Sequence, residues 1–452
     1  MQITTQYWTH PSITAIAGKL DPIHAITESA RDLVFRAIEA GWVGPPFDPF
    51  QLANFAGIKV LPCEDVIDAR IISASGDRFV IEFNPNRPRH RINYSICHEI
   101  AHTFFPDCSE RVRNRAIHQE MSGDDWQLEM LCNMGAAELL MPIGSFPALD
   151  EQRLSIDQIL TIRKKYEVSV EAVLLRTVNL TSEPCFVFSA SVHGAGREKN
   201  YHIDYVKPSH SWDQRIPNGL LLPKATVAAE CTAIGYTAKG AEQWLKTGDQ
   251  FKVECVGLPP YPTQATPRVA GIGYSTNSVR TEPMQITILR GDATSPRAHG
   301  PKVIAQIVND KALTWGAGFA LAVRQKWPKV QEEYRRWATE GRANLKLGGI
   351  HVTKADPEIW IVSLVAQHGY GPSPTPRIRY GALEQSMAKL SLAAADHGAT
   401  IHMPRLGAGQ AGGSWSIIEE MINEQLCGAG LKVFVYDLPS AADKEAHQSL
   451  LF

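Results

Sequence analysis

No stretch of the 452-residue sequence approaches the roughly 18 consecutive apolar residues that a membrane-spanning helix needs. The opening Met1-Gln-Ile-Thr-Thr-Gln-Tyr-Trp8 lacks the basic segment and apolar core of a secretion signal, so a soluble cytoplasmic chain is expected, with no membrane partner. Paired cysteines are missing too. The eight, at 63, 97, 108, 132, 185, 231, 255 and 427, include no CxxC and no dense framework, which excludes a disulfide scaffold and leaves them as reduced thiols. Neither sign of charge is in excess: the net value of −2 gives no global nucleic-acid or membrane-surface signal, so any such binding is local. An apolar share of 44% is that of an ordinary globular protein, and this length suggests roughly two to four domains.

What is present is concentrated in two places. The first is Tyr94-Ser-Ile-Cys-His98-Glu99-Ile-Ala-His102, an HExxH pattern. On a helix, residues four apart share a face, so both imidazoles can reach one cation while Glu99 lies where an attacking water would sit. A catalytic zinc needs a third protein ligand and an open position. The segment Trp126 to Pro142 offers one: Leu128, Leu131, Cys132, Gly135 and Leu139 form an apolar helical stripe, Glu129 points away from it, and Glu138 follows nine residues later.

An HExxH helix followed by E-x-x-C-N-x-x-A-A-E-L-L-M-P resembles the ImmA/IrrE metallopeptidases, compact zincin-like proteases that act on phage or stress-response repressors. The resemblance implies Zn2+ held by His98, His102 and Glu129, with Glu99 as general base and a protein substrate such as a transcriptional repressor. Gly135 stands where that family usually has an aromatic residue, and Cys97 precedes the first ligand.

Around this motif, apolar spacing predicts a helix over 21 to 41, a loop at Gly44-Pro-Pro-Phe-Asp-Pro49, a short helix from Phe50 to Ala56, and strands at Ile58 to Leu61, Ala69 to Ser73 and Phe79 to Phe83. Arg87, Arg89, His90 and Arg91 read as a solvated basic loop rather than a substrate patch, and the charged, patternless 106 to 124 as a flap over the cleft. Ser155 to Arg176 is two short helices about a bend, the second capped by Ser169. It resembles a helix-turn-helix, but few exposed basic or amide side chains accompany it; a packing hairpin is expected, and direct DNA binding stays open. From Pro184 to about Ser275 strands are expected at Cys185 to Ser191, Tyr201 to Tyr205, Thr226 to Gly235 and Phe251 to Gly257, similar to the GAF-like α+β region that trails the protease in this family.

The second concentration begins after a linker at 276 to 283. The strand Gln285 to Asp292 ends in an acidic turn, and strand Val303 to Val308 runs into Asn309-Asp-Lys-Ala-Leu-Thr-Trp-Gly316-Ala-Gly318-Phe-Ala, a glycine turn opening a helix. Strand Ile401 to Arg405 likewise leads into Gly407-Ala-Gly409-Gln-Ala-Gly412-Gly413 and a helix reaching about Leu426. Two such loops at strand C-termini, each backed by a helix N-terminus, suit a diphosphate held in the crevice of an α/β sheet. These residues resemble a macro domain over about 284 to 440, in the branch with ADP-ribose-1''-phosphate phosphatases and terminal ADP-ribose glycohydrolases. The resemblance implies that Asp292 bonds adenine, that Gly316, Ala317, Gly318 and Phe319 and the loop Gly407, Ala408, Gly409, Gln410, Ala411 and Gly412 cradle the diphosphate, that Asn309 approaches the distal ribose, and that Tyr436 lies near the adenine. The lysine and aspartate used by some glycohydrolase members should fall near Gln367 and Ala411, and neither type is there, which counts against that mechanism. Asp310 and His368 remain as acid/base candidates beside Asn309, and Arg377 and Arg379 as candidate phosphate partners.

The expected architecture is therefore multidomain α+β and α/β: a zincin-like metallopeptidase over 1 to 150, a helix-turn-helix-like hairpin over 151 to 181, a GAF-like α+β region over 182 to 275, and a three-layer α/β/α macro domain over 284 to 440. The function expected is a zinc endopeptidase of a regulatory protein joined to a module that binds or hydrolyses ADP-ribose, free or attached to protein or nucleic acid. Two alternatives are a sensor whose macro domain only binds and gates proteolysis, and a non-catalytic scaffold with structural zinc.

Overall fold

A computed structural model of the chain describes residues 8–18, 20–74, 78–110, 125–147, 149, 153–181, 183–193, 200–209, 211–245, 250–260, 267–276, 285–340 and 344–438. Most of the expected flap (111–124) and of the expected linker (277–283) lies outside the described residues. The chain divides into two units: Met1–Ala30 with Val43–Met141 and Phe146–Thr281, and Arg31–Trp42 with Pro142–Ser145 and Glu282–Phe452.

In the first unit the short helix α1 (Pro11–Ala17) is capped by the His10 imidazole, which accepts the Ser12 N–H. Helix α2 (Pro22–Glu39) contributes its first half here, and α3 (Pro49–Phe55) starts where Asp48 caps the Phe50 N–H and Pro49 pre-sets the first turn. Strands β1 (Lys59–Pro62), β2 (Ala69–Ala74) and β3 (Arg78–Phe83) form a sheet ordered β1-β3-β2, so β2 is an edge. Helix α4 (Arg89–His102) carries the HExxH pattern and takes in Arg89, His90 and Arg91, which were expected in a loop, with Arg91 forked onto Asp68 at 2.6 Å through both nitrogens. The basic cluster is thus bound up in ion pairs, Arg89 reaching Glu167 at 2.7 Å and Arg87 reaching Asp68 at 3.2 Å. Helix α5 (Asp125–Leu140) buries Leu128, Leu131, Cys132 and Leu139, the stripe read from sequence.

Helices α6 (Ile156–Tyr166) and α7 (Val170–Leu180) form the hairpin; a Ser155/Gln158 capping box starts α6 and Ser169 caps α7. Strands β4 (Cys185–His193), β5 (Asn200–Pro208), β6 (Thr237–Glu242), β7 (Phe251–Leu258) and β8 (Arg268–Ser275) make an antiparallel sheet ordered β5-β4-β8-β7-β6. The hairpin is tied to it by Ile156 N–H on Glu254 at 2.9 Å and by Arg268 forked onto Glu171 at 2.5 and 2.7 Å. The strand expected over Thr226 to Gly235 is not formed. A single 3-10 turn, Val227–Glu230, takes its place because the Thr226 hydroxyl caps it by accepting the Ala228 N–H.

In the second unit, strands β9 (Thr287–Arg290) and β10 (Lys302–Asn309) are followed by helices α8 (Gly318–Lys326) and α9 (Pro328–Glu340), then β11 (Ile350–Asp356), β12 (Ile359–Gln367), helix α10 (Tyr380–Asp396), β13 (Thr400–Pro404), α11 (Trp415–Ile422) and β14 (Val433–Asp437). The helix after the second glycine loop continues from α11 as one π turn over Asn423–Cys427. The six strands are ordered β11-β12-β10-β13-β14-β9; only β11 runs antiparallel, so the C-terminal ends of β9, β10, β12, β13 and β14 share one edge. One face is closed by Trp315, Val323, Trp327, Val330 and Tyr334 against Ile304, Val308, Ile361 and Val365. Leu383, Met387, Leu390, Ile417, Ile418 and Met421 on α10 and α11 are also buried, completing a three-layer α/β/α unit.

Candidate functional site

In the first unit, α4 places Tyr94, His98 and His102 on successive turns of one face, and α5 brings Glu129, Cys132 and Asn133 opposite them. The Nε2 atoms of His98 and His102 are 3.2 Å apart, and Glu129 lies 3.0 Å from the first and 3.7 Å from the second. One ligand atom from each of the three residues falls within a 4.8 Å set, the span of a small coordination sphere. Two imidazole nitrogens and one carboxylate oxygen suit zinc or a similar divalent cation, so the residues fit the metal that the sequence pattern implies. Burial pulls the His98 imidazole down, but Glu129, Glu99 and Asn133 together hold it above its ordinary value.

Glu99 is itself buried, with Oε2 accepting the Ile71 N–H of the edge strand β2 at 3.0 Å. That bond fixes the carboxylate beside the two imidazoles. Behind the ligands, Asn133 Oδ1 lies 2.9 Å from His98 Nδ1 and accepts the Tyr94 hydroxyl at 2.5 Å, while Cys132 Sγ is 3.3 Å from His102 Nδ1. Burial, with Glu171 next in effect, pushes the Tyr94 phenol well above its ordinary range, so it donates at neutral pH. The close approach of the two helices explains Gly135: a Cβ there would lie 3.0 Å from the Ala101 Cβ and 3.4 Å from Ile26. Glu138, the other carboxylate of this segment, turns away to pair with Arg176 at 2.6 Å, both side chains buried.

In the second unit both glycine loops lie at the shared strand edge. Gly318, Gly407 and Gly412 have φ of 59°, 70° and 70°, in the left-handed region that favours glycine. At Gly407 a Cβ would also come within 3.0 to 3.2 Å of Ile418, Ile378 and Ile307. The loops face each other, since the Gln410 Oε1 is 3.7 Å from where a Gly318 Cβ would stand. Gly316, Ala317, Gly318, Gly409 and Gln410 are exposed, Ala408 and Phe319 half-buried, and Ala411 is buried with its carbonyl accepting the Arg377 and Ile378 N–H groups.

Asn309 ends β10 with Oδ1 accepting the Lys311 and Ala312 N–H groups at 3.0 and 2.6 Å. Asp310 meets His368: Oδ2 is 2.8 Å from His368 Nδ1, and Oδ1 accepts the Gly369 N–H at 2.9 Å. Burial pushes the Asp310 carboxyl up, but the Gly369 and His368 bonds outweigh it and hold it below the usual carboxylate range. Its side chain is 10% exposed and that of His368 49%, so the imidazole presents the pair to solvent. Asp292 is exposed at the end of β9, its Oδ1 accepting the Thr294 N–H at 2.8 Å. Tyr436 is buried in β14 with its hydroxyl 2.9 Å from His402 Nδ1. Of the arginines suggested as phosphate partners, Arg377 donates to the Gly371, Pro372 and His368 carbonyls, and Arg379 to those of Pro376 and Ile378. Gln367, at one position where a glycohydrolase lysine or aspartate should fall, donates to the Gly369 carbonyl at 3.0 Å.

Sequence reasoning did not single out Asn133, Cys132 or the Ile71 N–H as parts of the metal centre. The signals for the first two were their i+4 and i+3 spacing from Glu129 and their places in the E-x-x-C-N pattern.

The comparison that decides the first unit is a family match covering the HExxH helix, Glu129 and the start of the hairpin. Residues 61–177 match the family model of the IrrE N-terminal-like domain. That match leaves the second unit to other relatives. The chain is 26% identical to the ADP-ribose 1''-phosphate phosphatase of Candida albicans over 148 residues, 31% of this chain and 92% of that protein. It is 29% identical over 166 residues, 34% of this chain, to the mouse chromodomain-helicase-DNA-binding protein 1-like, of whose length it spans only 18%. Among solved structures, a macrodomain protein from Streptomyces coelicolor is 38% identical, with 34% of this chain and 99% of that one covered and a TM-score of 0.31. Among the described residues, no helix is long and apolar enough to cross a membrane.

Proposed function

We propose that the chain is a zinc-dependent endopeptidase acting on a regulatory protein, a transcriptional repressor being the expected kind, and that its second unit binds or hydrolyses ADP-ribose derivatives. The observation that carries the first half is the convergence of His98, His102 and Glu129 within 4.8 Å, with Glu99 pinned beside them. Bound zinc would supply Lewis acidity, lowering the pKa of water and polarising the scissile carbonyl. Glu99 is the general base: it takes the proton of the attacking water and returns it to the leaving amine. Its hydrogen bond from the Ile71 N–H holds the carboxylate in place for that transfer.

For the second unit, the Candida relative supports an ADP-ribose ligand, free or joined to protein or nucleic acid. Gly316 to Phe319 and Gly407 to Gly412 would line its diphosphate, Asp292 and Tyr436 its adenine side, and Asn309 its distal ribose. The Asp310–His368 pair at 2.8 Å supports proton exchange at that ribose. One observation favours binding without turnover: Gln367 is spent on the Gly369 carbonyl, so the lysine–aspartate route has no residues here.

The test is Glu99→Gln in the full chain. It should abolish cleavage of a target repressor, a fall of at least about a hundredfold, while leaving bound zinc unchanged; retained cleavage refutes the assignment. Product analysis with ADP-ribosylated protein separates turnover from binding, and Asp310→Asn should slow any turnover about tenfold or more.

A further inference from the structure

We propose that Asn133 is a positioning residue for the metal centre, fixing the tautomer and aim of His98, and that Tyr94 in turn fixes Asn133. The inference rests on the metal-site reading above and adds to it the residues that prepare one ligand.

Tyr94 and His98 are one turn apart on α4, and Glu129 and Asn133 one turn apart on α5, so the two helices meet in register with the carboxylate before the imidazole and the amide behind it. His98 Nε2 faces Glu129 at 3.0 Å and Nδ1 faces Asn133 Oδ1 at 2.9 Å. The same oxygen accepts the Tyr94 hydroxyl at 2.5 Å. A carbonyl oxygen has two lone pairs and no proton, so it is saturated as an acceptor here. Nδ1 of His98 must therefore be the donor in this pair, which leaves Nε2 as the nitrogen offered to the cation. An imidazole whose rear nitrogen is free exchanges between tautomers and rotates, and part of the binding energy of the ligand is spent in selecting one form.

The experiment uses the full chain with 15N-labelled histidine. Long-range 1H–15N correlation spectra of the metal-free protein read the His98 tautomer, and competition with a chromophoric chelator reads zinc affinity. The parent should show His98 protonated at Nδ1. Asn133→Leu, close in volume, should give mixed tautomers and a roughly 10- to 100-fold loss of zinc affinity. Asn133→Asp keeps an acceptor at the same place and should restore both the Nδ1-protonated form and affinity to within a few-fold. Tyr94→Phe should weaken zinc several-fold, less than Asn133→Leu. Parent-like tautomer and affinity in Asn133→Leu overturn the proposal. So does an Asn133→Asp chain as impaired as Asn133→Leu, since packing alone would then explain both. A parent that takes up no zinc refutes the metal reading, while the tautomer spectra of the same samples still decide whether Asn133 sets His98.

Discussion

Single residues carry most of the chemistry here, and their neighbours decide which ones. Of the two glutamates on α5, Glu129 points at the imidazoles, whereas Glu138 forms a buried pair with Arg176. Removing one partner of such a pair strands the other charge away from water. Arg176→Met is therefore expected to lower stability by about 3 kcal/mol in a denaturant titration, with loss of structure rather than of metal ligation as its cause. His402 makes the corresponding case in the second unit. Burial pushes its imidazole down to about 4, with Lys302 adding to the effect, and its two nitrogens lie 2.9 Å from Tyr436 Oη and Thr400 Oγ1. The folded state takes up this proton later than the unfolded chain, so the stabilisation is present above about pH 6.5 and is lost as pH falls toward 4. Thermal unfolding of the second unit should show that decline between these limits, and His402→Gln should flatten it.

The elements show how far pattern alone reaches. The HExxH helix, the α5 stripe and both glycine loops were legible because each combines periodicity with residues that have few other uses, such as two imidazoles one turn apart or glycine at positive φ. Thr226 to Gly235 misled because Thr226 and Val227 are strand formers, while the Thr226 hydroxyl closes a turn that propensity does not register. The run Ile359 to Ala366 is apolar on both faces, and periodicity cannot separate a central strand such as β12 from a buried helix. Gly135 looked like a departure from an aromatic position, yet its lack of a side chain is what admits α4 against α5. Gly135→Val should force the helices apart and cost about 1–3 kcal/mol, with weakened metal binding because Glu129 rides on α5. Unchanged metal affinity in a folded Gly135→Val chain would mean that this approach does not set the site.

At the scale of the whole molecule, the sequence indicated a metal centre early in the chain and a ligand cleft late in it; the first unit gathers His98, His102 and Glu129 within 4.8 Å, and the second brings both glycine loops to one strand edge. Each should respond to its own ligand. In calorimetry, saturating ADP-ribose at about 100 times its Kd should stabilise the second unit by about 2.7 kcal/mol, whereas a zinc chelator should lower the stability of the first. The account depends most on the cation held by His98, His102 and Glu129, and elemental analysis of the purified full chain measures it directly. The expected result is about one zinc per chain in the parent and a clear loss in Glu129→Gln. A metal-free parent, or a Glu129→Gln chain that keeps its full zinc content, would contradict it.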